Sequence, residues 1–236
     1  MINNLKVLAI IPARGGSKGL PDKNIVQLNG LPLIAYSILA AQKSRYVDLC
    51  LVSSDSPRIL DVAQAYHSAV IRRPDELASD TASSESVVRH AISIYGDFEL
   101  ILLLQPTSPL RTARDIDSCI ESLASSDATA LISVYEPRHT PFKCFKLGED
   151  GFVTGLVDNR TPFMRRQDLP MALMPNGAIY LIHQKNFLST GSLITDKTIP
   201  YVMSIEASED IDSPDDLKRV SLLLSQSGHS STTEGL

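Results

Sequence analysis

Leu5-Lys-Val-Leu-Ala-Ile-Ile11, followed directly by Pro12-Ala-Arg-Gly-Gly-Ser-Lys-Gly-Leu-Pro-Asp-Lys-Asn24, decides how the rest of the sequence is read. The first stretch is a short apolar run of the kind needed by a strand buried on both faces of a parallel sheet. Pro12 stops it, which makes residues 12–24 a strand-to-helix loop. Arg14, Lys18 and Lys23 place three cations in that loop, and Gly15, Gly16 and Gly19 permit positive φ and close approach of backbone. Open α/β sheets bind ligands at the carboxyl ends of their strands, where loop amides and cations cradle phosphate. Three clustered cations repel one another unless something negative lies between them, and a triphosphate is a natural occupant. The loop contains neither G-x-x-x-x-G-K-[ST] nor G-x-G-x-x-G, which argues against P-loop kinases and dinucleotide-dependent dehydrogenases. The alternative is a solvated flexible loop.

Working outward, the spacing predicts helices over 32–43, 57–67, 84–95 and 113–124, alternating with strands at 49–53, 70–71, 100–104 and 128–135. Such alternation means βαβ units and a mainly parallel, doubly wound sheet with helices on both faces. From 136 to 176 the alternation fails, and Pro, Gly, Arg and scattered aromatics take over, as in an inserted lobe. Strands return at 177–182 and 201–205, followed by a helix over 214–225. The expected layout is one domain over 1–226 with a polar, Ser/Thr-rich tail at 227–236 that is expected to be disordered.

The 236 residues suffice for one α/β domain burying roughly 70% of its unfolded surface. A net charge of −5 argues against nucleic acid as the partner, so any polyanion has to meet a local basic site. The longest apolar stretches, such as 100–104, fall well short of the ~20 residues that cross a bilayer, so no membrane role is expected. Cys50, Cys119 and Cys144 are odd in number, widely spaced and without a C-x-x-C pair or a leading signal pattern. They are read as reduced, buried thiols of a cytoplasmic protein. The five histidines have no metal spacing and receive no role.

The acidic segment from Glu206 to Asp216 divides in two. Ser213-Pro-Asp-Asp216 reads as a helix start, with Ser213 as cap, Pro214 at the first helical position and Asp215 and Asp216 complementing the dipole. Asp210 and Asp212 are spaced by two in an expected extended stretch, so their carboxylates share one side. They would repel unless a cation joined them, and Mg²⁺ takes one or two carboxylates plus phosphate oxygens. A solvated acidic turn is the alternative. Other positions are open on the residues alone. Arg73 is either a ligand or a surface arginine before Pro74, and Ser84 competes with Ser83 for a helix cap. Gln105 ends a strand where ligand-facing residues gather, or simply caps it. Lys143 has a bland surface reading, and one of Arg165 and Arg166 is suited to bidentate pairing with a carboxylate.

P-A-R-G-G-S-K-G-L-P-x-K-N after the first strand resembles the signature of the CMP-sialic acid synthetases and their bacterial nonulosonate relatives. Arg73-Pro-Asp-Glu-Leu-Ala-Ser-Asp-Thr81, Leu104-Gln-Pro-Thr-Ser-Pro-Leu-Arg111, Pro175-Asn-Gly-Ala-Ile-Tyr180 and Asp210-Ile-Asp212 resemble later blocks of that family in the same order. The resemblance implies a Rossmann-like nucleotidyltransferase fold, a lobe that packs across a homodimer, and transfer of CMP from CTP to the anomeric C2 hydroxyl of a nonulosonic acid. By the same resemblance, Arg14, Gly15, Ser17, Lys18, Lys23 and Asn24 meet the nucleotide and its triphosphate, with Arg14 and Lys23 in the catalytic role. Arg73 and Ser84 lie at the cytidine side, and Gln105, Lys143, Arg166 and Tyr180 meet the sugar, Lys143 from the partner subunit. Asp210 and Asp212 hold Mg²⁺. Two departures, Met174 where sialic-acid enzymes carry arginine and Gly191-Ser-Leu-Ile194 where they carry an aromatic pair, are expected on the sugar side. They fit a less polar pocket, as for legionaminic or pseudaminic acid. The eight-carbon acid KDO and a catalytically silent nucleotide-binding module are the more distant readings.

Overall fold

The computed structural model describes residues 2, 5–17, 19–79 and 81–230. In chain order the strands and helices are β1 (Val7–Pro12), a two-stranded hairpin of β2 (Gln27–Leu28) and β3 (Leu31–Pro32), α1 (Leu33–Lys43), β4 (Val47–Ser54), α2 (Pro57–Ala65), β5 (Ala69–Arg72), α3 (Ser84–Ile94), β6 (Leu100–Leu103), α4 (Ala113–Ala124) and β7 (Ala130–Tyr135). A second small hairpin follows, β8 (Phe145–Leu147) with β9 (Val153–Gly155), and then β10 (Met174–His183), α5 (Gln184–Thr190), β11 (Thr198–Val202) and α6 (Pro214–Ser230).

Seven strands form one sheet in the order β11-β7-β10-β6-β1-β4-β5. β1 lies between β4 and β6 and is parallel to both, while β10 runs antiparallel between β6 and β7. The apolar run of β1 serves two layers at once. Val7, Ala9 and Ile11 join a core with α1, α2 and α4, and Leu8 and Ile10 join a second core with α3 and Phe187 of α5. β6 behaves alike, with Leu100 and Leu102 in the first core and Ile101 and Leu103 in the second. A strand covered on both faces has no polar side to alternate with, hence the unbroken run. Leu28, Leu33, Ile211 and Val220 form a third cluster that docks α6.

The mainly parallel, doubly wound sheet with helices on both faces is therefore present, with a few differences of detail. The strand expected at 201–205 is β11, which starts earlier, at Thr198, with Pro200 inside it; at the edge of the sheet, paired among the described residues with β7 alone, it tolerates proline's missing N–H. α5 was not expected; its stop signal is Gly191 at φ 71° past the helix end. The turn of the β2–β3 hairpin is Asn29-Gly30, both at positive φ, a pair favoured in two-residue hairpins. The lobe after β7 holds short turns and the β8–β9 hairpin, and β10 already begins at Met174, inside the range given to the lobe. α6 continues to Ser230, past the expected end at 225, and the rest of the expected tail lies outside the described residues. Cys50 and Cys119 are buried, whereas Cys144, on the lobe, is exposed. No helix among the described residues is long and apolar enough to cross a membrane.

Phe187 is fully buried and anchors α5 to the second core. Phe187→Ala is expected to lower unfolding free energy by about 3–5 kcal/mol, read as a drop in the urea midpoint with little change in slope.

Candidate active site

The carboxyl ends of β1 and β6 face a cleft of about 350 Å³, where the chain leaves the centre of the sheet in opposite directions. Arg14, Lys23, Asn24, Arg73, Ser84, Gln105, Asp210 and Asp212 all line it, together with Pro12, Ala82, Ser83, Val87, Pro106 and Thr107. Such a switch point is where open α/β sheets bind ligands.

The first loop is fastened at several points. Gly15 N donates to Asp55 Oδ1 at 2.9 Å, Asn24 Nδ2 donates to the Arg14 carbonyl at 2.9 Å, and Arg58 Nη1 pairs with Asp22 Oδ2 at 2.9 Å. The positive φ that glycine permits is not used at Gly15 or Gly16, and the left-handed turn falls on Asp22 at φ 52°. The glycines serve close approach instead. A Cβ at Gly19 would stand 2.5 Å from the Asp212 carbonyl oxygen, one at Gly15 would stand 3.0 Å from Ser56 Cβ, and Gly16 has open space around it. Ser17 belongs to the same loop without lining the cleft, and Lys18 lies outside the described residues.

Across the cleft, Ile211 is fully buried and its N–H donates to the Thr107 carbonyl at 2.9 Å, which pins the acidic turn beside the end of β6. Asp210 and Asp212 flank this anchor and both reach the cleft. Lys23 Nζ meets Asp212 Oδ1 at 2.6 Å, with the lysine side chain only 15% exposed. Asp210 is in a different state. Its Oδ1 is buried without a hydrogen-bond partner, and burial holds its acid above the usual carboxylate range; the Thr107 hydroxyl opposes this, Asp212 adds to it and Lys23 opposes it. Asp216 takes the structural part expected of it, closing a capping box with Ser213, and Asp215 pairs with Lys218.

Arg73 is no surface arginine. It is 5% exposed, with Nη2 donating to the Ser53 carbonyl at 2.7 Å and Nη1 to the Leu77 carbonyl at 3.2 Å. Burial lowers its affinity for its proton, Asp55 partly restores it, and Arg14 lowers it further. Ser83 takes the cap of α3 by accepting from Ser86 N at 3.2 Å, which leaves Ser84 in the first turn, facing the cleft. Tyr180, on β10 opposite Leu103, is partly buried, and burial raises its phenol pKa, with Glu85 and Asp210 adding to the effect.

Lys143 and Arg166 are not brought to this cleft. Both stand on the lobe, Lys143 exposed in a short turn and Arg166 near Glu136 with an Nη2–Oε1 distance of 3.4 Å. Neither Met174 nor the 191–194 stretch lines the cleft either: Met174 accepts from the Tyr135 hydroxyl at the root of the lobe, and Gly191 borders a separate hollow against α3. The sequence reading missed Asp55, Thr107 and Arg111, which act through backbone groups. Arg111, 2% exposed, lay within a quoted block, yet its burial had no signal of its own.

Among the described residues no group of three or more His, Cys, Asp or Glu could hold a metal. The Asp210–Asp212 pair nonetheless suits Mg²⁺, which needs only one or two protein carboxylates when phosphate oxygens complete its shell, and Asp210 carries an unpartnered buried oxygen.

A mainly parallel sheet thus carries a basic loop, a buried arginine and an acidic pair at its switch point, the layout of a Rossmann-like fold with a cleft suited to a phosphate-bearing ligand. The fold matches, with a TM-score of 0.72 at 18% identity, a structure of CMP:2-keto-3-deoxy-manno-octonic acid synthetase complexed with CTP, over 94% of this chain and 99% of that one. Residues 8–198 match the cytidylyltransferase family, and the chain belongs to that family. It is 36% identical to an N-acylneuraminate cytidylyltransferase of Streptococcus agalactiae serotype V over 92% of its own length, but spans about half of that protein (52%). It is 34% identical to the CMP-N,N'-diacetyllegionaminic acid synthase of Legionella pneumophila over 90% of its own length and 93% of that chain. The family match ends before Asp210 and Asp212, so the acidic pair rests on the geometry above.

A buried carboxylate with an orphaned oxygen costs stability when nothing is bound. Asp210→Asn is therefore expected to raise the thermal midpoint of the protein measured without nucleotide or divalent cation.

Proposed function

We propose that the protein transfers CMP from CTP to the anomeric C2 hydroxyl of a nine-carbon 2-keto sugar acid of the N-acylneuraminate type, releasing pyrophosphate. The observation that carries this reading is the convergence of Arg14, Lys23 and Arg73 with Asp210 and Asp212 in one cleft at the switch point of a cytidylyltransferase fold. Cations from two loops face a carboxylate pair, an arrangement suited to a bound triphosphate and its counterion.

In this reading Arg14 and Lys23 meet the triphosphate, joined by the amides of the loop that carries Gly15, Ser17 and Lys18. Asn24 contributes by fixing the Arg14 carbonyl, and Arg73 and Ser84 close the cytidine side. Asp210 and Asp212 would hold Mg²⁺, which when bound supplies neutralisation of phosphate charge. The C2 hydroxyl loses its proton as its oxygen bonds to the α-phosphorus, and the bond from that phosphorus to the pyrophosphate oxygen breaks. The C2–O bond stays intact, so the anomeric configuration is retained, and no covalent enzyme intermediate is needed.

The sugar side uses Gln105 from the cleft and Tyr180 from β10, which does not line the cleft but pairs with the β6 residue Leu103 nearby, with Lys143 and Arg166 reaching in from a lobe. We propose that the lobe belongs to a second copy in a homodimer. Leu147, Phe152, Phe163 and Met171 are each 73–80% exposed on one chain, which is apolar surface that a soluble monomer rarely leaves uncovered. A second reading, a legionaminic acid substrate, is favoured by the end-to-end similarity to the Legionella synthase.

Incubation with CTP, Mg²⁺ and N-acetylneuraminic, N,N'-diacetyllegionaminic or pseudaminic acid in turn is expected to release pyrophosphate with one of them. Lys23→Ala and Asp212→Ala are each expected to lose on the order of 10²-fold or more in rate. Near-normal rates in either variant would contradict the assigned roles, and CTP binding without turnover on any of the three acids would favour a silent nucleotide-binding module.

A further inference from the structure

Gln105 is gripped from two directions by residues that do not line the cleft. On the main-chain side, its carbonyl oxygen accepts from Arg111 Nη1 at 3.2 Å and from Ser37 Oγ at 3.3 Å. The same Nη1 donates to the Ala178 carbonyl at 2.8 Å, and Arg111 Nη2 donates to Ser37 Oγ at 2.5 Å. One buried guanidinium thus ties the end of β6 to the middle of β10, with Arg111 itself 67 positions from Ala178. It does so without a carboxylate hydrogen-bonded to it, and its Nε is left without a partner, a costly way to fill a core.

On the side-chain side, β10 bulges away from β7 between Pro175 and Tyr180. Ser133 Oγ stabilises the bulge by donating to Asn176 Oδ1 at 2.6 Å and accepting from Ile179 N at 2.7 Å, and Gly177 sits at its crest with φ 73°. A Cβ added at Gly177 would overlap Oε1 of Gln105, so the Gln105 amide occupies the space that the glycine leaves.

We propose that Arg111 and Gly177 are positioning residues for Gln105, fixing its main chain and its amide so that the amide presents a set geometry to the sugar half of the cleft. This rests on the function proposed above, through the placement of Gln105 at the sugar side. The bulge and the buried arginine then act as a specificity device: they touch no substrate, but they decide where one of the few sugar-facing polar groups stands.

The test is steady-state kinetics on Gly177→Ala, Gly177→Asn, Gln105→Ala and the Gly177→Asn/Gln105→Ala double variant, with CTP and whichever of the three acids the unchanged protein accepts. Asparagine tolerates positive φ, so Gly177→Asn keeps the overlap with Gln105 while easing backbone strain. Both Gly177 variants are expected to raise KM for the acid about tenfold or more while KM for CTP stays within about twofold. Gly177→Asn is expected to add nothing in the Gln105→Ala background, because the group it displaces is gone. Arg111→Lys, which has no second arm to hold Ser37 Oγ while the first bonds both carbonyls, is expected to show the same split between the two KM values. Additive effects at 177 and 105, or equal rises in both KM values, would overturn the proposal. If the unchanged protein accepts none of the three acids, the functional reading fails, and the positioning claim is judged from a crystal structure of Gly177→Asn. A Gln105 side chain displaced over an unmoved β10 would support it, and an undisplaced one would refute it.

Discussion

The ion pair between Lys23 and Asp212 joins residues 189 apart and closes the cleft from both ends of the chain. A lysine 15% exposed needs a counterion, and Asp212 supplies it from the acidic turn that precedes α6. The contact depends on close approach. Gly19 has no Cβ to strike the Asp212 carbonyl, and Ile211 is locked to Thr107 beneath it. Because a short charged hydrogen bond needs both partners in register, the first loop, the end of β6 and the start of α6 are placed relative to one another by one interaction. The same pair keeps Lys23 and the carboxylates of Asp210 and Asp212 in one electrostatic unit, and the proposed phosphoryl transfer would draw on preorganised charge of this kind.

Most of the architecture was legible because β1 and β6 are covered on both faces, and a strand with two cores reads as an unbroken apolar run. The acidic segment divided as expected, since helix capping claims Asp216 and leaves Asp210 and Asp212 for the cleft. Other features left little trace. The direction of β10 is a matter of chain routing, which local pattern does not encode. Of the two freedoms read in the loop glycines, close approach is the one used at Gly15 and Gly19, and only the packing of Ser56 and Asp212 against them shows which neighbours need it. Ser83 and Ser84 are equivalent as residues and both line the cleft, and one hydrogen bond, from Ser86 N to Ser83 Oγ, decides which of them caps α3.

In the proposed function, the nucleotide and sugar halves of the cleft are built differently. The nucleotide half draws its charge from side chains in a fastened loop and from Arg73, whose guanidinium is spent partly on the Ser53 and Leu77 carbonyls. The sugar half depends on backbone shape. Arg111, whose pKa burial pulls down to about 10, holds two carbonyls together, and the bulge in β10 makes room for an amide. Lys143 and Arg166 stand on a lobe with exposed apolar residues, away from the cleft of their own chain. This division accounts for why the loop from Arg14 to Asn24 speaks for the nucleotide and says little about the sugar.

The central claim is that this cleft joins CMP to a sugar hydroxyl whose own C–O bond is never broken. It is tested most directly by ³¹P NMR of the protein with CTP, Mg²⁺ and an acid carrying ¹⁸O at the C2 hydroxyl. The predicted result is a new phosphodiester signal showing the isotope shift of a bridging ¹⁸O, with release of unlabelled pyrophosphate. A phosphodiester without the label, or CTP left unconsumed with every acid supplied, would contradict the account.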